Sequence, residues 1–207
     1  MDLGADIGEF LLLASKRIDL NRRMTAIEPS PDDYESLLRN IEGNKCDNVT
    51  PINDAVSDFK GKLELEFKGE TFKAVYKSLQ DILNEENING INFCKMDIEG
   101  ESKVIPSSTN IISDIPYLTM EIHVESQNVL IPIMERLAFR LERITKKSHI
   151  QSAMRFTLRH LSKVYISLHL LKKAGEYLGV TKTGKEINIE RSDKLVVGIF
   201  INRSTQK

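Results

Sequence analysis

A histidine and two carboxylates follow apolar, strand-like stretches of this sequence and could carry out acid–base chemistry. Asp97 comes directly after one such stretch, and Glu121 and His123 end the next one. Because side chains alternate along a strand, Glu121 and His123 lie on the same face. A carboxylate beside an imidazole can form a general base or part of a metal site. A structural histidine at a strand end is an equally good reading of this spacing.

Two more acids, Glu99 and Glu101, crowd the same turn as Asp97. Such crowding is unfavourable unless cations or hydrogen-bond donors offset it. A solvated helix start accounts for Glu101. It accounts less well for Asp97, which ends a strand that we expect to be buried.

A glycine loop, GADIG at residues 4–8, opens the chain after only three residues. Glycines allow a tight turn and close approach of the backbone to a ligand, and the following helix presents free N–H groups. In the G-x-G-x-x-G loop of dinucleotide-binding proteins, Asp6 and Glu9 would stand where glycines belong. Their charge would oppose a pyrophosphate and suit a cationic ligand such as a sulfonium or an amine. A glycine turn without a ligand remains the alternative.

Polar residues also follow the second and third predicted strands. Glu28 lies twenty positions beyond Gly8, where an acid accepts hydrogen bonds from ribose hydroxyls. The residues from Asn53 to Asp58 are short and polar or small, so they could contact an adenine edge. An ordinary Asn-Asp turn explains Asn53 and Asp54 equally well.

Strand-like and helix-like stretches alternate along the chain, which predicts an α/β fold with a mainly parallel sheet and helices on both faces. Ligands of such sheets bind beyond the carboxyl ends of the strands, where the polar residues lie. Ser30 and Pro31 begin one helix as N-cap and first residue, and Gly43 ends it. We predict strands at residues 24–27, 49–53, 63–67, 91–96, 117–122, 140–145 and 194–201, and helices at residues 9–17, 30–42, 78–86, 101–112, 129–137 and 149–177.

The composition is that of an ordinary globular protein. The 207 residues are 41% hydrophobic and 29% charged, with a formal net charge of -1, so nothing calls for nucleic acid as a partner. The apolar runs are too short to span a membrane, no signal peptide is evident, and two cysteines are too few for a disulfide framework. We expect a cytoplasmic protein, with Cys94 as a buried reduced thiol.

The whole set of residues resembles the FkbM-type S-adenosylmethionine-dependent methyltransferases, which have the class I Rossmann-like fold. The resemblance covers residues 2–123, and its most distinctive piece is Lys95-Met96-Asp97-Ile98-Glu99-Gly100. It implies S-adenosylmethionine as cofactor and O-methylation of a hydroxyl group on a small molecule or sugar. The other matching pieces are Asp2 with the glycine loop, Glu28-Pro29-Ser30-Pro31, Asn40 with Asn44, Ala55-Val56-Ser57-Asp58, the helix start at Ser78, and Glu121-Ile122-His123.

The resemblance also implies roles for single positions. The glycine loop would lie against the methionine part of the cofactor, Glu28 would hold the ribose, and Asp97 would lie near the transferred methyl group. Asp54 and Ala55 would flank the adenine. Asp6 stands where the family usually has asparagine. The implied cofactor-binding residues are Gly4, Ala5, Asp6, Gly8, Glu28, Asp54, Ala55 and Asp97.

His123 is the candidate general base for the acceptor hydroxyl, with Glu121 orienting its ring. Catalysis would otherwise depend on holding the acceptor in line with the methyl group, so Asp97, Glu121 and His123 form the candidate catalytic set. In a less favoured variant these three residues hold a divalent cation that acidifies the hydroxyl. The spacing matches no metal-binding pattern, and we assign no metal site.

Residues 1–146 are expected to form the cofactor-binding core, residues 147–190 a helical basic insertion, and residues 191–207 the last strand and tail. The insertion could pack on the body with a solvated basic face, cover the acceptor, form a dimer contact or touch anionic lipid headgroups. The first strand is expected to be truncated, because three residues are fewer than a typical strand has. A longer upstream version, or poor cofactor binding, would follow.

Two other function classes stay open. A truncated or degenerate methyltransferase fold could bind a ligand or a protein without catalysis, although Glu28 and Asp97 argue against this. An NAD-dependent oxidoreductase is disfavoured by the two acids, Asp6 and Glu9, in the glycine loop.

Overall fold

The computed structural model describes residues 1–19, 21–67, 69–146 and 196–202. Strands and helices alternate along most of these residues, as the sequence predicts, except that four strands follow one another between Val49 and Ser78. The strands are β1 (Asp2–Leu3), β2 (Met24–Ile27), β3 (Val49–Ile52), β4 (Ala55–Ser57), β5 (Gly61–Phe67), β6 (Glu70–Ser78), β7 (Phe93–Met96), β8 (Tyr117–Ile122), β9 (Phe139–Lys146) and β10 (Val196–Asn202). The helices are α1 (Glu9–Ser15), α2 (Pro31–Gly43), α3 (Leu79–Glu85), α4 (Glu101–Ser107), α5 (Thr109–Ile112) and α6 (Gln127–Arg136).

The main sheet has seven strands in the order β3-β2-β1-β7-β8-β10-β9. The first five are parallel, and β10 runs antiparallel between β8 and β9. The chain turns one way from β1 to β2 and the other way from β1 to β7, so the strand order reverses at β1. In open α/β sheets a ligand binds in the crevice at this reversal, beyond the carboxyl ends of the strands.

Strand β1 has only two residues, but both pair on both sides. Asp2 lies opposite Ala26 and Lys95, and Leu3 lies opposite Ile27 and Met96. The strand therefore occupies the centre of the parallel sheet despite its length. Its two residues fix the position of the glycine loop that follows.

Helices cover both faces of the sheet, as predicted. On one side, α1 and α2 pack around Leu11 and Leu37 with Ala26 of β2. On the other side, α3, α4 and α6 pack against Ile27, the neighbouring residue of the same strand. Adjacent strand residues point to opposite faces, so the two apolar clusters lie on opposite sides of the sheet. Cys94 of β7 is a buried free thiol, as expected, and burial raises its pKa to about 12.

Local signals place the helix starts well. The Ser30 hydroxyl accepts a hydrogen bond from the Asp33 backbone N–H at 3.3 Å, and Ser78 caps α3 through the Asp81 N–H at 3.1 Å. One helix prediction was wrong in its extent. Residues 101–112 form two helices, and the first ends one residue after Pro106, whose ring cannot donate a backbone hydrogen bond.

A second sheet of three strands, in the order β4-β6-β5, was not predicted from the sequence. Residues 63–67 do lie in a strand, but β5 pairs antiparallel with β6 instead of joining the parallel sheet. The turn between them contains Gly69 at φ 83°. Charged and apolar residues alternate in Lys62-Leu63-Glu64-Leu65-Glu66, which is typical of a half-exposed antiparallel strand.

The predicted helix at residues 149–177 and the insertion at residues 147–190 lie outside the described residues. The flanking strands are described: Val196, the first residue of β10, pairs with Ile122 on one side and Lys146 on the other. No helix in the described part of the chain is long and apolar enough to cross a membrane.

Candidate functional site

A cavity of about 480 Å³ lies at the carboxyl ends of the central strands and is bounded on one side by the three-stranded sheet. Its volume is within the range of small-molecule sites. Of the ten predicted site residues, Ala5 and Gly8 are not part of its lining. The other eight line it together: Gly4, Asp6, Glu28, Asp54, Ala55, Asp97, Glu121 and His123.

Glu28, at the end of β2, is held in place by two backbone donors. Its Oε2 accepts a hydrogen bond from the Asp6 N–H at 2.8 Å, and its Oε1 accepts one from the Ser30 N–H at 2.9 Å. The residue is 5% exposed. Burial raises the pKa of its carboxyl, and the two backbone hydrogen bonds offset part of this effect. Glu28 lines the cavity, and each of its fixed oxygens keeps a lone pair that can accept a further hydrogen bond.

Asp54 follows β3 and is paired with a lysine of the second sheet. Lys77 Nζ lies 2.8 Å from Asp54 Oδ2 and also contacts Glu85. The hydrogen bonds to these two carboxylates raise the pKa of Lys77. This ion pair ties the end of β3 to β6, and Asp54 and Ala55 line the cavity between them.

At both glycines of the loop, a larger side chain would clash with neighbouring atoms. Gly4 has φ 74°, and a Cβ there would lie 1.9 Å from the Asp97 backbone oxygen. Gly8 has φ 89°, and a Cβ there would lie 2.6 Å from Leu37 Cδ1. Ala5, which is 4% exposed, belongs to the apolar cluster under α1 and α2. The loop therefore presents Gly4 and Asp6 to the cavity, while Ala5 and Gly8 lie away from its lining.

A buried lysine joins the glycine loop to the end of β7. Lys95 Nζ lies 3.0 Å from Asp2 Oδ1 and 3.6 Å from Asp97 Oδ2, and it donates a hydrogen bond to the Gly4 carbonyl oxygen at 2.7 Å. Burial lowers the pKa of Lys95, but the charges of Asp2 and Asp97 outweigh this and raise it overall. Lys95 thus stays charged and holds both loops. Its place in the strand was visible in the sequence, but its three contacts were not.

His123 follows β8 and lies between two carboxylates. Its Nδ1 is 3.0 Å from Glu101 Oε1, and its Nε2 is 3.4 Å from Glu99 Oε2. Burial lowers the pKa of His123, but the hydrogen bond to Glu101 and the charges of Glu101, Glu99 and Glu121 outweigh it and raise the pKa above 6.5. Glu121 lines the cavity beside His123, but the carboxylate on Nδ1 belongs to Glu101.

The alternative interpretation of Glu101 as a solvated acid at a helix start was wrong. Glu101 is 1% exposed, and its Oε1 contacts the His123 ring. Conversely, the side chain of Asp97 is 37% exposed and lines the cavity. The helix-start pattern of the sequence does not show this contact, which joins residues 22 positions apart.

The second sheet and the loop between β4 and β5 add an apolar wall that was not predicted from the sequence. Phe59 and Tyr76 stack with ring centroids 5.1 Å apart and an interplanar angle of 15°. Both line the cavity together with Leu65 and Phe67. The signal that could have found this wall is the aromatic and β-branched stretch Thr71-Phe72-Lys73-Ala74-Val75-Tyr76, which favours a strand.

The lining of the cavity is strongly acidic. Among the described residues, its lining contains a single lysine, Lys103, and the imidazole of His123. A cavity of this charge repels a pyrophosphate and attracts a cation. No group of three or more His, Cys, Asp and Glu side chains among the described residues could hold a metal ion. The eight carboxylates of the lining are those of Asp6, Glu28, Asp54, Asp58, Glu66, Asp97, Glu99 and Glu121.

The sheet order, the reversal at β1 and the acidic cavity beyond the strand ends define a Rossmann-like protein with a crevice where ligands of this fold bind. The chain belongs to the FkbM methyltransferase family: the model of the methyltransferase FkbM domain matches residues 2–141. Family membership assigns S-adenosylmethionine as the cofactor. No curated protein matches the chain in sequence.

Solved structures of methyltransferases are similar to this chain. Methyltransferase FkbM from Methylobacillus flagellatus KT is 22% identical, with a TM-score of 0.46, over 66% of this chain and 35% of that chain. This chain thus spans about a third of that protein's length. Precorrin-6y C5,15-methyltransferase from Geobacter metallireducens GS-15 is 13% identical, with a TM-score of 0.51, over 96% of this chain and 75% of that chain.

The residues of the cavity fit S-adenosylmethionine by their chemistry. This cofactor carries a ribose diol and, at neutral pH, a net positive charge from its sulfonium and ammonium groups. The fixed Glu28 carboxylate offers acceptors to a diol, and the other carboxylates favour a cation. The same charge disfavours NAD, in agreement with the expectation from Asp6 in the glycine loop.

Proposed function

We propose that this chain is an S-adenosylmethionine-dependent O-methyltransferase that acts on a hydroxyl group of a small molecule or sugar. The observation that supports this best is the shared cavity, which brings Glu28 and Asp54 together with Asp97 and His123. A cofactor-binding carboxylate and a candidate base thus face the same space. Methyl transfer requires that the cofactor-binding carboxylate and the base both reach a cofactor and an acceptor bound side by side.

In this proposal Glu28 holds the ribose hydroxyls, and Asp54 with Ala55 flanks the adenine. Asp6 and Asp97 face the positively charged methionine end, next to Gly4. Lys95 contacts both Asp97 and the Gly4 carbonyl oxygen, so it holds these two groups in position relative to each other. Ala5 and Gly8 support the loop from behind. The bound cofactor supplies an activated methyl group to the acceptor oxygen.

The acceptor hydroxyl has to lose its proton, and His123 is the proposed base. It lies at the end of β8 in the cavity lining, on the same side as Asp97. Glu121 adds negative charge beside it, which favours the imidazolium that forms. The geometry of a sequestered acceptor, held in line with the methyl group, would supply most of the rate enhancement.

Calorimetric titration with S-adenosylhomocysteine tests the cofactor site. We expect micromolar binding by the wild-type chain and a loss of on the order of 10- to 100-fold in Glu28→Gln, because hydrogen bonds to a charged group contribute about 1.5–3 kcal/mol. Glu35→Gln is the matched control, since Glu35 is exposed on α2 and pairs with Arg39 on the same helix. Equal affinity of the wild type and Glu28→Gln would refute the ribose assignment.

Turnover separates the enzyme from a binding protein. Candidate sugars and small hydroxyl compounds are screened with methyl-labelled cofactor, using wild type and His123→Gln. Methylation by the wild type and its loss in His123→Gln support the proposal. Tight S-adenosylhomocysteine binding without methylation of any acceptor would favour a non-catalytic ligand-binding function.

A further inference from the structure

We propose that Glu101 is a positioning residue for His123, which fixes the Nδ1–H tautomer of the ring and so makes Nε2 the atom that takes the acceptor proton. This inference rests on the proposed function for its catalytic meaning. Its structural part concerns only the two side chains. Glu101 does not line the cavity, so it acts through His123.

The first argument is geometric. One oxygen of Glu101, Oε1, faces both the Nδ1 atom of His123 at 3.0 Å and the His123 backbone N–H at 3.4 Å. The backbone group can only donate, so Oε1 is an acceptor at this point. A neutral imidazole that meets an acceptor at Nδ1 carries its proton there. Its lone pair then lies on Nε2.

The second argument comes from burial. Glu101 is 1% exposed, and its Oε2 has no hydrogen-bond partner among the described residues. A buried carboxylate without full pairing is costly. The contacts described for it are with His123, so the imidazole is the group that this buried acid serves. A merely solvated helix-start acid would not be placed in this way.

The third argument distinguishes the two nearby carboxylates. Glu99 approaches Nε2 at 3.4 Å, but its side chain is 75% exposed. An exposed glutamate can swing away, which leaves Nε2 accessible from the cavity. Glu101 is enclosed and cannot move in this way. The fixed carboxylate therefore sets the tautomer, and the exposed one adds only charge.

The proton step is then defined at the level of atoms. The O–H bond of the acceptor breaks, its electron pair remains on the oxygen, and the proton forms an N–H bond at Nε2. Glu101 on Nδ1 and the charges of Glu99 and Glu121 stabilise the resulting imidazolium. Release of that proton to solvent restores the neutral ring.

Nitrogen NMR of the ¹⁵N-histidine-labelled chain tests the proposal without cofactor or acceptor. The wild type is expected to show the Nδ1–H tautomer of His123 at high pH, with a pKa above 6.5. Glu101→Gln, which keeps the size of the side chain, should lower that pKa and add the Nε2–H tautomer, because the amide can also donate to Nδ1. Glu99→Gln is the matched control and should keep the Nδ1–H tautomer.

The result that overturns the proposal is an Nε2–H tautomer in the wild type, or a tautomer and pKa that Glu101→Gln leaves unchanged in a chain with a wild-type circular dichroism spectrum. Kinetic measurements on the same variant are the second test. Glu101→Gln should lower kcat on the order of 10- to 100-fold, shift the acidic limb of the pH profile downward, and leave the acceptor KM nearly unchanged. Failure of the proposed function would remove turnover in the wild type, yet the NMR result would stand.

Discussion

The contact between the glycine loop and the end of β7 predicts a large effect of Gly4→Ala. The φ of 74° alone costs an alanine about 1–2 kcal/mol. In addition, the new Cβ would lie 1.9 Å from the Asp97 oxygen, and overpacking of this kind costs about 1–3 kcal/mol. We therefore expect the free energy of unfolding to fall by about 2–5 kcal/mol in urea titrations followed by circular dichroism.

The same clash should reach the cofactor site. To relieve it, the Asp97 backbone has to move by roughly 1 Å, a displacement that can cost about 100-fold in rate when it reaches reacting groups. Any chain that stays folded should therefore bind S-adenosylhomocysteine at least about tenfold more weakly in calorimetry, a loss of roughly 1.4 kcal/mol.

Gly69→Ala is the matched control for this prediction. Gly69 has a similar φ of 83°, but a Cβ there meets no atom of the described part of the chain within 4 Å. It should lose only the backbone cost of about 1–2 kcal/mol and keep its affinity. If Gly4→Ala and Gly69→Ala lose equal stability and both keep full affinity for S-adenosylhomocysteine, the predicted clash with Asp97 does not occur and the reasoning is refuted.

Three further predictions concern charged residues. Lys95→Met should lower the free energy of unfolding by about 3–5 kcal/mol, because it leaves Asp2 buried without its ion-pair partner. A second substitution, Asp2→Asn, in the same chain should restore much of this stability. A loss below about 1 kcal/mol for Lys95→Met in urea titration would contradict the prediction. His123 has a raised pKa, so its contribution to stability is present below pH 6.5 and is lost as the pH rises through the pKa of the folded state. His123→Gln should therefore show a smaller fall in Tm between pH 6 and pH 8 than the wild type, and an equal fall would rule out this linkage. Lys77→Met should lower both stability and S-adenosylhomocysteine affinity, since it frees Asp54, whereas Lys60→Met, which breaks an exposed contact with Glu85, should change neither measurably.

Regular local patterns made much of the fold predictable. Strands β2 and β8 have the predicted bounds, and the N-cap of α2 lies at the predicted Ser30. These elements carry their information within a few residues, as apolar runs or a capping serine beside proline. The strand ends then placed Glu28, Asp97 and His123 at one edge of the sheet without knowledge of any contact.

The remaining features depend on contacts between distant parts of the chain. Glu101 is 22 positions from His123 in sequence, and Lys95 is 91 positions from Gly4. Nothing in the helix start or the strand pattern shows such partners. Strand β6 was missed for a related reason: its partners are β4 and β5 of the second sheet, and apart from Ala74 its residues are exposed or only partly buried.

The position of β10 has a consequence for how this fold can diversify. Val196 pairs with Ile122, the residue before His123, and with Lys146, so the chain leaves the sheet after Lys146 and re-enters it at the adjacent Val196. Each doubling of a loop's length costs only about 0.6 kcal/mol in closure entropy. A stretch inserted here can be lengthened, shortened or exchanged with little effect on the sheet. Evolution can thus change the chain that enters the sheet beside the end of β8 without changing the residues at the other strand ends.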